Sequence, residues 1–433
     1  MLASPRPSML PLLVPVLAQM LTITVGDRTE GRYQKVDDRR WELTTTPGIA
    51  LDLRVRRYNF SLGYSPSLLV TPLETKPREY LVFHDLGAST GYSWKTTSVS
   101  FGSTLRFGEV NFRTAPLQNL GGGQPVPTPG GEPGVTPDPG TTPDPGAMPT
   151  PGEGPAVDPT APGGQAQTRT VDRIVNHIES ITTLSVSRAF TRQFSAGGYL
   201  SYGVTGAIDE RDRLDYPLAA GWTLGGTAYH TRPVGSRDAF VTSALGQAGW
   251  GNSGNNVSMI QVDEAWKHTL RPQTRTTLGI GVSVTRTAQT DGLVAVSIFP
   301  TFVAGIDDTE KLAGGELYAS INTYSNPVLD PLRSTVDPRV GASAFLSWTR
   351  AAFNISLNGS AALSVAPEGN DASSTDGYAG AASMGYEVIE GLSVDTGARG
   401  TARSVQGATV VPPSWAIFAG VSVGHAFVLK LGR

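Results

Sequence analysis

From residue 415 to 431 the chain alternates. Ile417, Ala419, Val421, Val423, Phe427 and Leu429 share one parity, and Phe418, Gly420, Ser422, Gly424, Ala426 and Lys430 the other. A period of two marks a β-strand with two unlike faces, here one apolar and one small or polar. The run exceeds the five or six residues of an ordinary globular strand and is long enough to cross a bilayer at a tilt. Residues 353–365 repeat the arrangement: Phe353, Ile355, Leu357, Ala361, Leu363 and Val365 are interleaved by Asn354, Ser356, Asn358, Ser360, Ala362 and Ser364. A soluble sandwich turns its second face to bulk water and usually charges it. Asn, Ser, Thr, Gly and Ala suit the inner wall of a wet lumen instead, so the pattern reads as a transmembrane β-barrel.

Composition agrees once the averaging is undone. A mean hydropathy of -0.12 looks soluble, yet a barrel spends its apolar residues at every second position and never shows the long apolar run of a membrane helix. No such run is present. Charged residues are 16 % of the chain, against about 25 % in ordinary proteins, as expected where a lipid face excludes charge. The net charge of -3 gives no basic footprint for nucleic acid. The chain has no cysteine, so disulfides and thiolate metal sites are excluded, which is compatible with an envelope protein.

At the N-terminus Arg6 precedes an apolar stretch from Met9 to Leu17, and Val16-Leu17-Ala18 offers a cleavage site after Ala18. This reads as a signal peptide over 1–18. Residues 19–38 read as an N-terminal periplasmic segment. From Gly121 to Gly164 Pro and Gly dominate, with Thr136-Pro137-Asp138-Pro139-Gly140 nearly repeated by Thr142-Pro143-Asp144-Pro145-Gly146. No aromatic residue occurs there and every charge is acidic, so the segment is expected to be a disordered, solvated spacer. The chain therefore divides into barrel over 39–112, a Pro/Gly-rich insert over 113–176, and barrel over 177–433.

Candidate strands fall near 39–46, 48–57, 58–70, 80–95 and 98–112, then 177–190, 193–206, 217–231 and 238–250. Nine more fall near 257–269, 274–288, 292–306, 314–325, 338–350, 352–365, 377–388, 391–404 and 415–430. The total is about eighteen, with sixteen also open. Short joints (Arg57, Lys95 to Thr97, Thr191 to Arg192, Arg271 to Gln273, Arg350, Glu390 to Gly391) alternate with longer polar ones, as the periplasmic turns and outer loops of a barrel do. That parity puts the insert outside the cell. The joints at 230–237 and 306–313 are too long for ideal periplasmic turns. Tyr58, Trp94, Trp222, Tyr229, Trp250, Trp348 and Trp415 fall near strand ends, where interfacial girdles would hold them.

In this architecture the chain resembles Gram-negative outer-membrane β-barrels of the porin type over residues 39–112 and 177–431, which implies an outer-membrane location. The run Leu184-Ser185-Val186-Ser187-Arg188-Ala189-Phe190-Thr191-Arg192-Gln193-Phe194-Ser195, continuing to Tyr199-Leu200-Ser201-Tyr202, is similar to hairpins of barrels associated with exopolysaccharide export. That likeness implies a polysaccharide cargo and periplasmic export components as partners. The chain departs from porins at its end, Leu429-Lys430-Leu431-Gly432-Arg433, which lacks their terminal aromatic.

With the apolar parity turned to lipid, the other parity lines the lumen. On 48–57 this puts Asp52, Arg54 and Arg56 inside; on 98–112, Arg106; on 391–404, Asp395, Arg399 and Arg403; Glu316 joins them. Arginines on one wall would field anionic solutes or sugar hydroxyls, and Asp52, Glu316 and Asp395 would partly neutralise them. No catalytic motif is present: His84, His177, His230, His268 and His425 are scattered, and neither His-Glu-x-x-His nor Gly-x-Ser-x-Gly occurs. Arg residues interrupt the acidic run 209–215 as a calcium loop. The expectation is a pore for passive passage of polar or anionic solutes, with no enzyme activity, metal or cofactor and no nucleic-acid partner. The alternatives are a non-conducting surface barrel that binds a partner through its loops, and an outer-membrane hydrolase.

Overall fold

A computed structural model describes residues 19–35, 39–70, 80–111, 174–213, 218–252, 254, 256–290, 292–330, 335–364, 375–405 and 411–431. All regular structure among them is strand. The elements are β1 (Gln19–Lys35), β2 (Arg39–Val55), β3 (Tyr58–Val70), β4 (Tyr80–Trp94), β5 (Thr97–Asn111), β6 (Ile174–Ala189), β7 (Phe194–Ala207), β8 (Ala219–Pro233) and β9 (Asp238–Gly251). They continue with β10 (Asn256–Arg271), β11 (Thr274–Ala288), β12 (Val294–Leu312), β13 (Gly315–Asp330), β14 (Thr335–Arg350), β15 (Phe353–Ser364), β16 (Thr375–Ile389), β17 (Leu392–Val405) and β18 (Val411–Leu431). Each pairs antiparallel with its chain neighbours, and β1 pairs with both β2 and β18. The sheet is therefore a closed 18-stranded barrel without an edge.

The count of eighteen holds through two compensating corrections. Residues 19–35, expected to be a periplasmic segment, form the strand that closes the barrel, while the expected strands 39–46 and 48–57 are one strand, β2. Pro47 suggests a break because it has no N–H to give to a ladder. Its side of β2 faces β3, which has Pro66 at the matching height, and the β2–β3 register is interrupted there, between Thr45↔Leu68 and Ile49↔Tyr64. The β1–β2 register runs through unbroken, with Asp27 opposite Pro47. The insert also starts to end earlier than expected, because Ile174 already belongs to β6. Its Pro/Gly-rich body and the signal sequence lie outside the described residues.

Burial is inverted relative to a soluble protein. On β11 Ile280 is 74 % exposed and Leu278, Val282 and Val284 are exposed with it, whereas Ser283 on the other parity is 0 % exposed. On β15 the exposed residues Ile355 and Leu357 alternate with less exposed Asn354, Ser356 and Asn358. Such a pattern is stable where the apolar parity meets hydrocarbon, and the closed sheet suits that setting because its ladders pair most backbone N–H and C=O groups within the wall. The non-neighbouring strands β9 and β13, β10 and β13, and β11 and β14 approach one another, so the wall curls tightly in that sector.

Both chain ends of the barrel lie at the end that carries the short turns, since Gln19 pairs with Leu431 and with Val55. The eight connections there are two to four residues long, and the troublesome joints resolve because β8 runs to Pro233 and β12 to Leu312. Arg56, Ala313 and Ala351 open such turns at φ 48°, 52° and 48°, the left-handed conformation that two-residue hairpins demand. Lipid-facing aromatics gather at two levels. Tyr33 lies 5.0 Å from Trp41 and 5.7 Å from Trp415 at the long-loop end, and Tyr58 lies 4.5 Å from Tyr92 at the short-turn end. Tyr229, expected in a girdle, faces the lumen instead, opposite Ser195 and Ser243.

Candidate functional site

The inner wall has two chemistries. Over β5 to β7 and β14 to β18 it is mostly hydroxyl, amide and glycine. Ser98 meets Ser187 at 2.7 Å, Ser100 meets Ser185 at 2.6 Å, and Thr183 meets Ser201 at 3.1 Å. Ser356 with Ser383 and Thr401 with Ser414 repeat this at 2.7 Å each. These pairs follow from register: residues directly opposite in antiparallel strands share a face, and the inner parity is small and polar at these positions, with larger side chains such as Tyr199 and Phe345 elsewhere on it. Arg106 Nε donates to Asp85 Oδ2 at 2.8 Å, with Glu179 opposite Arg106 on β6. Asp263 accepts hydrogen bonds from Thr301 Oγ1 at 2.5 Å and Gln261 Nε2 at 2.8 Å.

The second chemistry is ionic and sits where the barrel closes. Arg28 Nη2 lies 2.8 Å from Asp395 Oδ2 and 3.1 Å from Glu30 Oε2, and Arg399 Nη2 lies 2.9 Å from Glu30 Oε1. The Arg399 guanidinium also stands 5.1 Å from the centre of the Phe418 ring. One step further along β1, Arg32 Nε donates to Glu42 Oε2 at 2.7 Å, and Gln34 Nε2 reaches Glu42 Oε1. Three arginines thus meet three carboxylates across β17, β1 and β2, and the set is neutral as a whole. Glu42 is 2 % exposed, Arg32 3 % and Gln34 0 %, so this part of the network is packed away from open solvent. Arg28, Asp395 and Arg399 remain partly accessible.

The expected lumen residues fall into three groups. Asp395 and Arg399 are brought together by the seam, with Arg28 and Glu30 between them. Asp52 and Arg54 take the inner parity of β2, opposite Ser61 and Asn59; neither makes an ion pair among the described residues. Glu316 takes the inner parity of β13 opposite Lys311 near the short turns, and Arg106 is held by Asp85. Arg56 is corrected: it belongs to the β2–β3 turn and not to the wall. Arg403 lies on β17, and its side chain is outside the described residues. Arg28, Glu30, Arg32, Gln34 and Glu42 were not anticipated. The signal for the first four was the alternation of Leu21, Ile23 and Val25, which Asp27, Thr29 and Gly31 interrupt on the apolar parity.

The catalytic alternatives gain nothing from the geometry. Among the described residues no three His, Cys, Asp or Glu side chains are grouped as metal ligands. Over residues 208–213 the chain turns back after β7, with Asp212 N donating to Asp209 O at 3.0 Å and Arg213 Nη2 to Ile208 O at 2.9 Å.

Closed antiparallel strands, an apolar belt with aromatic girdles and short turns at one end make the chain an outer-membrane β-barrel of porin-like build. No protein-family model matches the chain, and no curated protein matches it in sequence. Among solved structures it is similar to the FrpB iron transporter of Neisseria meningitidis (F3-3 variant), at 9 % identity and TM-score 0.49, over 88 % of this chain and 62 % of that one. It is similar also to the outer membrane protein OpdK of Pseudomonas aeruginosa, at 9 % identity and TM-score 0.44, over 94 % and 99 % of the two chains. A third is OccK2 (OpdF) of Pseudomonas aeruginosa, at 9 % identity and TM-score 0.42, over 95 % and 98 %. The chain spans about three fifths of the length of FrpB. The barrel assignment stands on the strand pairing and the apolar belt.

Proposed function

We propose that the chain is an outer-membrane channel for passive passage of polar solutes, anionic ones among them. The observation that carries this reading is the inner wall: small hydroxyl, amide and glycine residues offering many weak contacts, with the charges of the seam held in pairs. A conducting lumen needs contacts favourable enough to admit a solute and weak enough to release it. Eighteen strands enclose a width at which neighbouring barrels hold water. Arg54 near the short-turn mouth, with Arg106 and the seam arginines deeper, would attract anions. The paired carboxylates Asp85, Glu30 and Asp395 would keep that attraction shallow. Passage of a polysaccharide is the narrower form of the same reading, supported by hydroxyl-rich walls that suit sugar hydroxyls.

Planar-bilayer conductance of the refolded full chain tests this. Stepwise conductance with weak anion preference, blocked by added acidic and neutral oligosaccharides, is the expected result. Conductance without saccharide blockade removes the narrower form. A correctly inserted but silent barrel overturns the channel and favours the alternative of a surface barrel that binds through its loops, with which the burial of Glu42 and Gln34 would then agree.

A further inference from the structure

From β9 to β13 the wall curls so far that strands three and four places apart approach one another, and the inward side chains in this sector are buried. Gln261 and Thr301 are each 3 % exposed and Ser283 is 0 %. Asp263 lies among them. Its Oδ1 accepts a hydrogen bond from Thr301 Oγ1 at 2.5 Å and its Oδ2 one from Gln261 Nε2 at 2.8 Å, and it makes no ion pair among the described residues. The carboxylate reaches β12 because Gly281 of β11 stands between Asp263 and Thr301 in the ladders. A Cβ built at Gly281 would overlap Asp263 Oδ1 and stand 2.7 Å from Thr301 Oγ1. Two oxygens of the same block are left over: Gln261 Oε1 and Ser283 Oγ are buried without a hydrogen-bond partner, and their residues stand directly opposite in the β10–β11 ladder. The Gln261 amide is fixed in this sense, since turning it over would set Oε1 against the carboxylate.

A buried polar atom without a partner is costly, and a charge without a countercharge more so. Water would meet the two spare oxygens but leave the carboxylate uncompensated, whereas a metal cation answers both. The donors are all oxygen, which favours a hard ion over zinc or copper. They carry one formal negative charge. Calcium affinity grows with the charge of its ligand set, and a single carboxylate supplies little, while a monovalent ion is neutralised outright. We infer that the inward face of β10 to β12 binds a small monovalent metal cation such as sodium, with the Asp263 carboxylate, Gln261 Oε1, Ser283 Oγ and Thr301 Oγ1 as its ligands. Gln261 and Thr301 keep their hydrogens on the carboxylate and turn oxygen lone pairs to the ion. Asp263 is only partly buried and gives the ion its way in from the lumen. The site does not depend on whether the lumen conducts.

Urea unfolding of the refolded full chain in zwitterionic micelles, followed by gel mobility, tests it as sodium chloride replaces choline chloride at constant ionic strength. Choline is too large for a site packed this closely. An ion that binds only the folded state should favour folding by about tenfold once its concentration is ten times its Kd. D263N changes the charge with almost no change of shape; it should be no less stable than the wild type in choline and should lose the sodium response. S283A removes a buried hydroxyl that has no partner, so it too should keep its stability in choline, and sodium should stabilise it several-fold less than the wild type. Either variant serves if the other does not fold. Equal unfolding of the wild type in sodium and in choline overturns the site, as does a sodium response kept in full by a folded D263N or S283A. A response to calcium chloride with none to sodium chloride overturns the assignment to a monovalent ion.

Discussion

Arg28 and Asp395 meet at 2.8 Å although β18 runs between their strands. The bridge is possible because β18 offers small residues beneath it, Ser422 opposite Arg28 and Gly420 opposite Asp395, and a Cβ built at Gly420 would stand 2.9 Å from Asp395 Oδ1. The first strand is thereby tied not only to the last, by the ladder, but also to the one before it. Arg399 with Glu30 makes the same crossing in the opposite sense. The β1–β18 ladder joins residues about 400 positions apart, so its closure carries the greatest loop entropy of any ladder in the sheet. Ion pairs spanning three strands hold that joint where the lumen is wet on one side.

The crossing pairs should couple energetically. Glu30→Ala and Arg399→Ala are each expected to lower stability, and the double variant to lose less than the sum, by about 1–2 kcal/mol. Urea unfolding in micelles followed by gel mobility measures the cycle. Gly420→Leu should disturb the Arg28–Asp395 bridge from the opposite direction, by displacing the carboxylate; full additivity of the Glu30 and Arg399 changes would show that the pair contributes no coupling.

The neighbouring pair is more deeply buried, which separates breaking it from replacing it. Glu42→Leu alone leaves Arg32 charged inside the wall and is expected to cost about 3–5 kcal/mol, whereas Arg32→Met with Glu42→Leu should be close to neutral. Gln34 loses its acceptor in both variants, so it is changed equally in the two arms. If the double variant is as unstable as the single one, the burial of this pair is not what sets its cost.

The barrel was legible from alternation because its two faces differ so sharply on strands such as β15 and β18. The closing strand was not legible, and the reason is local. On β1 the apolar parity reads Leu21, Ile23, Val25, Asp27, Thr29, Gly31 and Tyr33, so three of the seven lipid-facing positions are polar or lack a side chain and the period disappears midway. Asp27 is accommodated by its neighbour: Thr45 Oγ1 donates to its Oδ1 at 3.0 Å and lies 3.2 Å from Thr29 Oγ1. Such an arrangement depends on β2, which is far from visible in a window of β1. Half of the ionic seam was lost with that strand. Asp395 and Arg399 are legible because Leu392 and Val394 fix the parity of β17, but Arg28 and Glu30 lie in a segment that reads as periplasmic. Pro47 misled in the opposite sense, because sequence does not say which neighbouring strand a missing donor faces.

Asp27 itself is a testable liability. It stands midway along β1 on the lipid-facing parity, opposite Val423 and Pro47. Asp27→Val should raise stability in bilayers by about 1–2 kcal/mol, since an acidic residue within the belt is unfavourable and becomes more so with depth. Thr45 keeps Thr29 as a partner. Reduced stability in vesicles would mean that this face of β1 meets something other than lipid.

Selectivity should respond to the wall charges in an order set by their pairing. Arg54 stands on the inner parity near the short-turn mouth without an ion-pair partner among the described residues, whereas Arg399 shares Glu30 and is partly shielded by Phe418. A unit charge about 10 Å from a permeating ion through water is worth about 0.4 kcal/mol, roughly a factor of two in local concentration. Arg54→Glu reverses one such charge, a change of two units that raises cations about fourfold and lowers anions about fourfold, and should raise the cation-to-anion permeability ratio by up to about sixteenfold at low salt, an effect that fades as salt shortens the screening length. Arg399→Gln is expected to move the ratio less, because Glu30 keeps Arg28 as a partner. Reversal potentials across a salt gradient give both numbers from one preparation. A larger shift from Arg399→Gln than from Arg54→Glu would place the narrowest part of the conducting path at the closure seam and not at the mouth.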